Sequence, residues 1–387
     1  MTNPLRQLQA LGQSVWYDTI DRAELRSGLF GRLIDEDGIT GTTANPTIFE
    51  HSISHGHAYD EQMNQLISEG KRTGEIYEAL VITDVRSVAD RLRPIYDKTS
   101  GQDGFVSLEV SPDLAQDTEG TLAEVRRFWQ MVDRPNLMIK IPATPAGVPA
   151  IRQALAEGIN INITLIFALS NYRQVVEAYL AALEERLAAG KDLRQIASVA
   201  SFFVSRVDVL VDQLLEDKIQ ATHHPAEQHR LKALQGKAAI ANARLVYQEF
   251  KRLFSTPRFG TLKNSGARVQ RPLWASTSTK NPAYRDVLYA EELIGPDTVD
   301  TMPLQTIEHF REHGRVRLSV EDNIQEAKAD LAALEDVGIH YDQVTRQLQE
   351  EGVQRFADSF HQLFVGIESK RKAIGERKVA QGVIHRT

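Results

Sequence analysis

Hydrophobic and polar residues follow two different periods along the chain. Short apolar or alternating runs typical of strands occur at 14–18, 38–41, 105–110, 137–142, 161–167, 197–203, 271–277 and 297–302. Longer segments between them, such as TLAEVRRFWQMV and RVDVLVDQLLEDKI, repeat apolar residues every three to four positions and predict amphipathic helices. Strands that alternate with helices favour an α/β fold, either a (β/α)8 TIM barrel or a doubly wound sheet.

The chain beyond residue 303 is charged and helical in pattern. Its segment VEDNIQEAKADLAALEDVG has apolar residues at helical spacing, which predicts packing on the wall of a barrel. We therefore expect one domain, made of a barrel over 1–303 and additional C-terminal helices over 304–387. No glycine-rich phosphate loop follows any predicted strand, which weakens the nucleotide-binding alternative.

Composition narrows the function classes. A net charge of −7 and a pI near 5.9 argue against nucleic acid or an anionic membrane as the main partner. The chain has no cysteine, which excludes disulfides, thiolate metal sites and a cysteine nucleophile. The first residues lack an apolar signal core, and no long apolar run follows, so we expect a cytoplasmic protein. Whether it forms a homo-oligomer is left open.

Lys140 lies within NLMIKIPAT, which has the pattern of a buried strand. Leu137, Ile139 and Ile141 share one face, and Met138 and Lys140 share the other. One interpretation is a salt-bridged lysine at a strand end. The other is a Schiff-base nucleophile, whose amine must be neutral. Lowering a lysine pKa from about 10.4 to about 7 costs ~4–5 kcal/mol, which burial in an apolar pocket can supply. The residues alone leave both interpretations open.

Polar residues share one face of the next strand, NINITLIF. Asn160, Asn162 and Thr164 alternate with isoleucine and leucine, and the helices on both sides indicate an internal strand. A barrel accommodates this pattern, because its polar face can line the lumen. The same reasoning places Glu109 and Asp18 at neighbouring strand ends, where two carboxylates beside an amine could transfer protons. Each could instead cap a helix.

Two further segments have simple structural interpretations. Thr144 is predicted to cap a helix with Pro145 in its first position. His51, His55 and His57 are closely spaced, but their surroundings predict an exposed loop, and no metal site is expected.

Arg206 opens a predicted helix after the sixth strand. Beside free helix N–H groups an arginine can clamp a phosphate. A surface salt bridge is an equally good interpretation of this residue.

Four motifs in order, GTTANPTIFE, NLMIKIPAT, NINITLIF and SFFVSRVD, resemble the transaldolases over about residues 10 to 300. The length and the helical C-terminal extension resemble the longer bacterial branch of that family. The resemblance implies a (β/α)8 barrel with a Schiff-base lysine on the fourth strand, and so favours the catalytic interpretation of Lys140. It implies no cofactor.

The resemblance also implies roles for individual residues. Lys140 would form an imine with a ketose phosphate, and Asp18 would take the proton of the C4 hydroxyl. Glu109 would act as acid and base through a water held by Thr164. Asn45 and Asn162 would hold the hydroxyl groups of the bound three-carbon fragment. The substrate phosphate would lie among Ser201, Arg206 and Ser276.

The implied reaction is transfer of a dihydroxyacetone unit from sedoheptulose 7-phosphate or fructose 6-phosphate to glyceraldehyde 3-phosphate or erythrose 4-phosphate, in the pentose phosphate pathway. The alternatives are a Schiff-base sugar-phosphate aldolase and a non-catalytic barrel scaffold. Related aldolases carry a tyrosine on the sixth strand and a glutamine in place of the glutamate. Phe203 and Glu109 therefore match the transferase pattern. Lys280 departs from the family, because shorter members carry an arginine near this position.

Overall fold

The structure is a computed structural model that describes residues 3–380, with side chains for all of these except His55 and 375–380. The strands are β1 (Gln13–Tyr17), β2 (Gly41–Thr42), β3 (Val106–Glu109), β4 (Leu137–Pro142), β5 (Ile161–Ile166), β6 (Ser198–Phe203), β7 (Arg271–Ala275) and β8 (Thr298–Met302). They form one closed, parallel barrel in sequence order, and β8 pairs with β1. The predicted (β/α)8 barrel is confirmed, and closure excludes the doubly wound sheet.

Helices surround the barrel and continue after its last strand. Those up to the sixth strand are α1 (Pro4–Ala10), α2 (Arg22–Ser27), α3 (Leu29–Arg32), α4 (Pro46–His55), α5 (Asp60–Ser68), α6 (Thr73–Lys98), α7 (Thr118–Val132), α8 (Gly147–Glu157) and α9 (Leu169–Ala188). The later ones are α10 (Ser205–Ala221), α11 (Pro225–Lys232), α12 (Ala238–Phe254), α13 (Pro257–Asn264), α14 (Leu288–Glu292), α15 (Leu304–His313), α16 (Ile324–Asp336) and α17 (Tyr341–Ala380). A π-helical turn spans Leu33–Asp37, and a 3-10 turn spans Pro112–Leu114.

The core lies between the strands and the outer helices. The outward-facing residues of the central strands are fully buried there, namely Leu137, Ile139, Ile141, Ile161 and Ile163. The opposite faces of β3, β4 and β5 are in register, so that Glu109, Lys140 and Asn162 lie side by side across the three strands. Because paired residues of parallel strands face the same side, all three side chains enter the lumen.

The second strand is shorter than predicted. The expected strand at 38–41 is a two-residue strand at Gly41–Thr42, whereas the other predicted strands agree within two residues. Gly38 has a φ of 73° and ends the π-helical turn, so the segment cannot be extended there. Ile39 is fully buried without strand pairing, which explains the misleading hydrophobic pattern.

Two local predictions were wrong. The segment with His51, His55 and His57 was predicted to be a loop, but α4 continues through it as far as His55. Of the three histidines, only His57 lies beyond the end of the helix. The helix after β4 begins at Gly147 with Ala146 as its N-cap, so Pro145 is not its first residue. Thr144 still acts on this helix start, since its hydroxyl accepts the N–H of Gly147 at 3.0 Å.

The C-terminal helices pack on two parts of the barrel, namely its outer wall and its mouth. Helix α16 packs on the outer helix α12, in agreement with the predicted wall position, while α17 contacts α4, α6, α10 and β5. Two glycines allow this close approach: a Cβ on Gly352 would lie 2.9 Å from Leu165 Cδ2, and one on Gly366 would lie 2.1 Å from Ser54 Oγ. The predicted division at residue 303 stays a prediction.

Candidate active site

A cavity of about 610 Å³ opens at the carboxyl ends of the barrel strands, the face on which such barrels carry their active sites. Most of the residues predicted from the sequence line it: Asp18, Asn45, Lys140, Ser201, Phe203, Arg206, Ser276 and Lys280. The remaining predicted residues, Glu109, Asn162 and Thr164, are buried in the adjoining strands. The structure therefore gathers residues that are separated by more than two hundred positions in the chain.

Lys140 and Glu109 form a buried pair in the lumen. The Lys140 amine donates to Glu109 Oε2 at 3.0 Å and to the carbonyl oxygen of Ala44 at 3.3 Å. Burial raises the pKa of Glu109, and the nearby charge of Lys140 only partly opposes this rise. Because burial disfavours the charged form of a carboxyl group, Glu109 holds a proton more readily than an exposed glutamate does.

Asn162 is held in a fixed orientation beside Lys140. Ser201 donates to its Oδ1 at 2.6 Å, and its Nδ2 donates to Ser107 Oγ at 3.0 Å. Thr164, two residues further along β5, has a buried hydroxyl with no hydrogen-bond partner among the described residues. Sequence reasoning did not identify Ser107, although it lies two residues before Glu109 on the same strand face.

Asp18 sits on the opposite wall of the lumen. Thr43 donates to its Oδ1 at 2.7 Å and also lies 2.7 Å from Thr301 Oγ1. Burial raises the pKa of Asp18, while the hydrogen bond from Thr43 and the charge of Lys140 oppose the rise. Sequence reasoning missed both threonines; the only signal was the position of Thr43 within GTTANP.

Asn45 lines the cavity from the start of α4. It is the N-cap of that helix, and its Oδ1 accepts the N–H of Ile48 at 3.1 Å. The cap uses the amide oxygen, which leaves the amide NH₂ as the donor group for a ligand.

The outer part of the cavity is cationic. The Arg206 guanidinium, near the start of α10, lies 5.1 Å from the Phe203 ring centroid and 6.0 Å from that of Phe356. Lys280 donates to Ser278 Oγ at 2.7 Å. Burial lowers the pKa of both cations, and the charge of Arg206 lowers that of Lys280 further.

Ser276 stands at the end of β7 in a left-handed backbone conformation, with a φ of 57°. Its hydroxyl lies 3.0 Å from that of Ser205, the first residue of α10. A non-glycine residue in this conformation is held by its surroundings and is commonest at functional sites.

Helix α17 closes one side of the cavity. Leu348, Glu351, Gly352, Arg355 and Phe356 line it, and the Phe356 ring centroid lies 5.5 Å from the Lys140 amine. The Gln349 amide donates to the carbonyls of Ala143 at 3.0 Å and Leu165 at 3.1 Å, beyond β4 and within β5. The sequence analysis did not identify these five residues as part of the site. Their spacing of three and four positions was a signal that they share one side of a helix.

Among the described side chains, no group of three or more histidines, aspartates or glutamates could hold a metal ion. No helix in the part of the chain that the structure describes combines the length and the apolarity needed to cross a bilayer.

Comparison with known proteins identifies the family. Residues 15–367 match the family model described as transaldolase/fructose-6-phosphate aldolase. A transaldolase of Parafrankia sp. is 48% identical over 97% of this chain and 99% of its own length. The transaldolase of Thermobifida fusca is 49% identical over 94% and 97%, and that of Trichodesmium erythraeum is 44% identical over 97% and 99%. With such matches over almost its whole length, the chain belongs to the transaldolase/fructose-6-phosphate aldolase family.

Proposed function

We propose that the protein catalyses the transaldolase reaction through an imine on Lys140. It would transfer a dihydroxyacetone unit from sedoheptulose 7-phosphate or fructose 6-phosphate to glyceraldehyde 3-phosphate or erythrose 4-phosphate. The observation that carries this proposal is the buried pair of Lys140 and Glu109 in the lumen, 3.0 Å apart, beside a cavity that Asp18 also lines.

Imine formation needs a neutral amine. Proton transfer from Lys140 to Glu109 supplies it, since two buried charges are costly and the exchange neutralises both. The amine adds to the C2 carbonyl of the ketose, and loss of water then forms the protonated imine. Glu109 is proposed to exchange protons with the reacting oxygen through a water held by Thr164, whose buried hydroxyl has no hydrogen-bond partner among the described residues.

Asp18 would perform the carbon–carbon cleavage. Its carboxylate takes the proton of the C4 hydroxyl, the C3–C4 bond breaks, and the electron pair moves into the protonated imine to give an enamine. The first aldehyde leaves, and the acceptor aldehyde takes its place. The reverse sequence forms the new bond, with Asp18 returning its proton to the new C4 oxygen. The electron sink is the protonated imine itself, so the proposed mechanism needs no cofactor.

The enamine must survive the exchange of aldehydes without protonation by water. Asn45 and Asn162 are proposed to hold the hydroxyls of the three-carbon fragment. Asn162 is suited to this task because Ser107 and Ser201 already fix its amide. Arg206, Lys280 and Ser276 are proposed to surround the phosphate. Ser201 was expected there too; its hydrogen bond gives it a second role as a positioning residue for Asn162.

The second candidate is the aldolase reaction that the family description also names. Phe203 and Glu109 favour transfer, because the resemblance places a tyrosine and a glutamine at these positions in the aldolases. The Phe203 ring, stacked on Arg206, offers no hydroxyl to help water release the fragment.

Borohydride trapping tests the proposal. Fructose 6-phosphate and borohydride should leave a reduced three-carbon adduct on Lys140, found by peptide mass spectrometry. The Lys140→Met variant should give no adduct, whereas Lys280→Met, a change of the other cavity lysine, should still form one at saturating substrate. Absence of any adduct would favour the scaffold. With erythrose 4-phosphate present, a transferase makes a new ketose and a lyase releases dihydroxyacetone.

We propose further that the barrel over 1–303 and the helices over 304–387 form one domain, because α17 lines the same cavity as the strands. A fragment over 1–303 that folds and turns over alone would contradict this. A place in the pentose phosphate pathway, cytoplasmic residence and a homo-oligomeric state stay predictions.

A further inference from the structure

Three cations face one another across the outer cavity. Arg206, Lys280 and Arg355 all line it, and they come from the start of α10, the loop after β7 and the middle of α17. Beyond burial, the charge of Arg355 is the largest influence that lowers the pKa of Arg206. Like charges brought together in a partly buried site repel each other, and an anion bound between them would remove that repulsion.

Two of these cations, Arg206 and Arg355, have few hydrogen-bond acceptors or paired carboxylates among the described residues. Among the described residues, the Arg206 guanidinium has no hydrogen-bond acceptor and no paired carboxylate; its neighbours are the rings of Phe203 and Phe356. Arg355 has one described partner, Glu351, at 3.4 Å. The two side chains are 63% and 39% exposed, and a pair of this kind one helical turn apart is worth little in water.

The position of Arg355 is nevertheless fixed by its helix. Gln349 ties α17 to the ends of β4 and β5, and the buried Phe356 follows Arg355 directly in sequence. Gly352, on the same side of the helix, brings the backbone close to Leu165. The guanidinium is thus attached to a rigid backbone beside the cavity, while its own atoms stay free to bind a ligand.

We propose that Arg355 is a specificity-determining residue that binds the substrate phosphate together with Arg206, in competition with Glu351. The inference rests on the proposed function and extends it to a residue of the C-terminal helix. Two guanidinium groups can each donate paired hydrogen bonds to phosphate oxygens, whereas Lys280 offers only a point charge. Glu351 lies 3.4 Å from Arg355, and its negative charge both attracts that guanidinium and opposes the incoming phosphate.

Three matched variants of α17 test this role. Arg355→Gln should raise KM for fructose 6-phosphate roughly tenfold, since a charge-assisted contact to phosphate is lost. Glu351→Gln should lower KM about two- to threefold, because a competing carboxylate is removed. Arg346→Gln makes the same charge change on the same helix outside the cavity, and it should leave KM within about twofold. Arg355 and Arg346 are exposed, so folding is not at risk.

A binding measurement separates this inference from the proposed function. Calorimetric titration with inorganic phosphate requires no turnover, and Arg355→Gln should weaken the binding by a similar factor. Borohydride trapping with unphosphorylated dihydroxyacetone should be unchanged in this variant. Equal behaviour of Arg355→Gln and Arg346→Gln would overturn the inference, as would no phosphate binding to the unaltered protein. Failure to trap any adduct in the unaltered protein would instead overturn the proposed function.

Discussion

The Lys140 amine lies 3.0 Å from Glu109 Oε2, and both side chains are only 6% exposed. An ion pair removed from water in this way loses solvation that its mutual attraction does not fully return. A structural pair under this penalty could be replaced by apolar residues at little cost. The proposed imine chemistry gives a reason to keep so costly a pair, because it needs an amine nucleophile beside a proton-transfer group.

Glu109→Gln should lower kcat by about 10²–10³-fold, since the variant keeps a hydrogen-bond acceptor for Lys140 but loses the acid–base group. Steady-state kinetics and thermal unfolding measure the two effects separately. The control is Glu157→Gln, which removes a surface carboxylate paired with Arg126. If Glu109→Gln kept more than about half of the parent kcat, Glu109 would not be the proton-transfer group.

Thr43→Val should move the acidic limb of the pH profile of kcat upward. The proposed base is the ionised carboxylate of Asp18, whose pKa burial already raises. Activity therefore falls as pH drops through that pKa. Loss of the Thr43 hydroxyl removes a hydrogen bond that favours the ionised form, so the pKa of Asp18 should rise further.

The control is Thr47→Val, which removes an exposed hydroxyl of α4 that donates to Ser359 and leaves Asp18 untouched. It should leave the acidic limb in place. An unchanged acidic limb in Thr43→Val would remove Asp18 from the role of catalytic base.

Asp300→Asn should flatten the dependence of stability on pH. Asp300 is fully buried on β8, and Thr277 donates to its Oδ1 at 2.8 Å. Its Oδ2 has no partner among the described residues. Burial raises the pKa of Asp300 to about 7, and the charge of Asp18 adds to the rise. An unfolded aspartate titrates near ~3.9.

The sign of the effect follows from these two values. Between pH ~4 and 7 the folded protein keeps a proton that the unfolded chain has released, so stability falls as pH rises, by about 4 kcal/mol at most. Asn cannot ionise, so the variant lacks this loss of stability. The free energy of unfolding of the variant minus that of the parent should therefore be larger at pH 8 than at pH 5. Denaturant unfolding at both values measures the difference, with Asp297→Asn, an exposed neighbour, as control. Parallel curves for parent and variant would contradict the prediction.

Gly352→Ala should displace α17 from the barrel mouth. The added Cβ would lie 2.9 Å from Leu165 Cδ2, in a residue that already has a φ of 58°. We expect about 1–3 kcal/mol of lost stability from overpacking, together with a fall in kcat/KM. Gly260→Ala is the matched control, because nothing lies within 4 Å of that helical position. It should instead stabilise the protein by about 0.5–1 kcal/mol. Two equal responses would show that α17 tolerates the shift.

The alternation of residues within single strands determined much of this protein. The alternation of side-chain direction along each strand placed Lys140, Glu109 and Asn162 on one face of their strands. The structure brings these faces together in the lumen. This was predictable because side-chain direction in a strand repeats every two residues and depends on no distant contact. The family motifs added the choice of the barrel and of the catalytic interpretation of Lys140.

Tertiary structure alone decided which helix covers the candidate active site. The path of α17 depends on Gln349 meeting the ends of β4 and β5, and on Gly352 meeting Leu165, almost two hundred residues earlier in the chain. Such contacts leave no local period in the sequence, because they depend on how separate elements pack rather than on neighbouring residues. For the same reason, the helical spacing of Glu351, Arg355 and their neighbours in α17 does not show that this side of the helix lines the cavity.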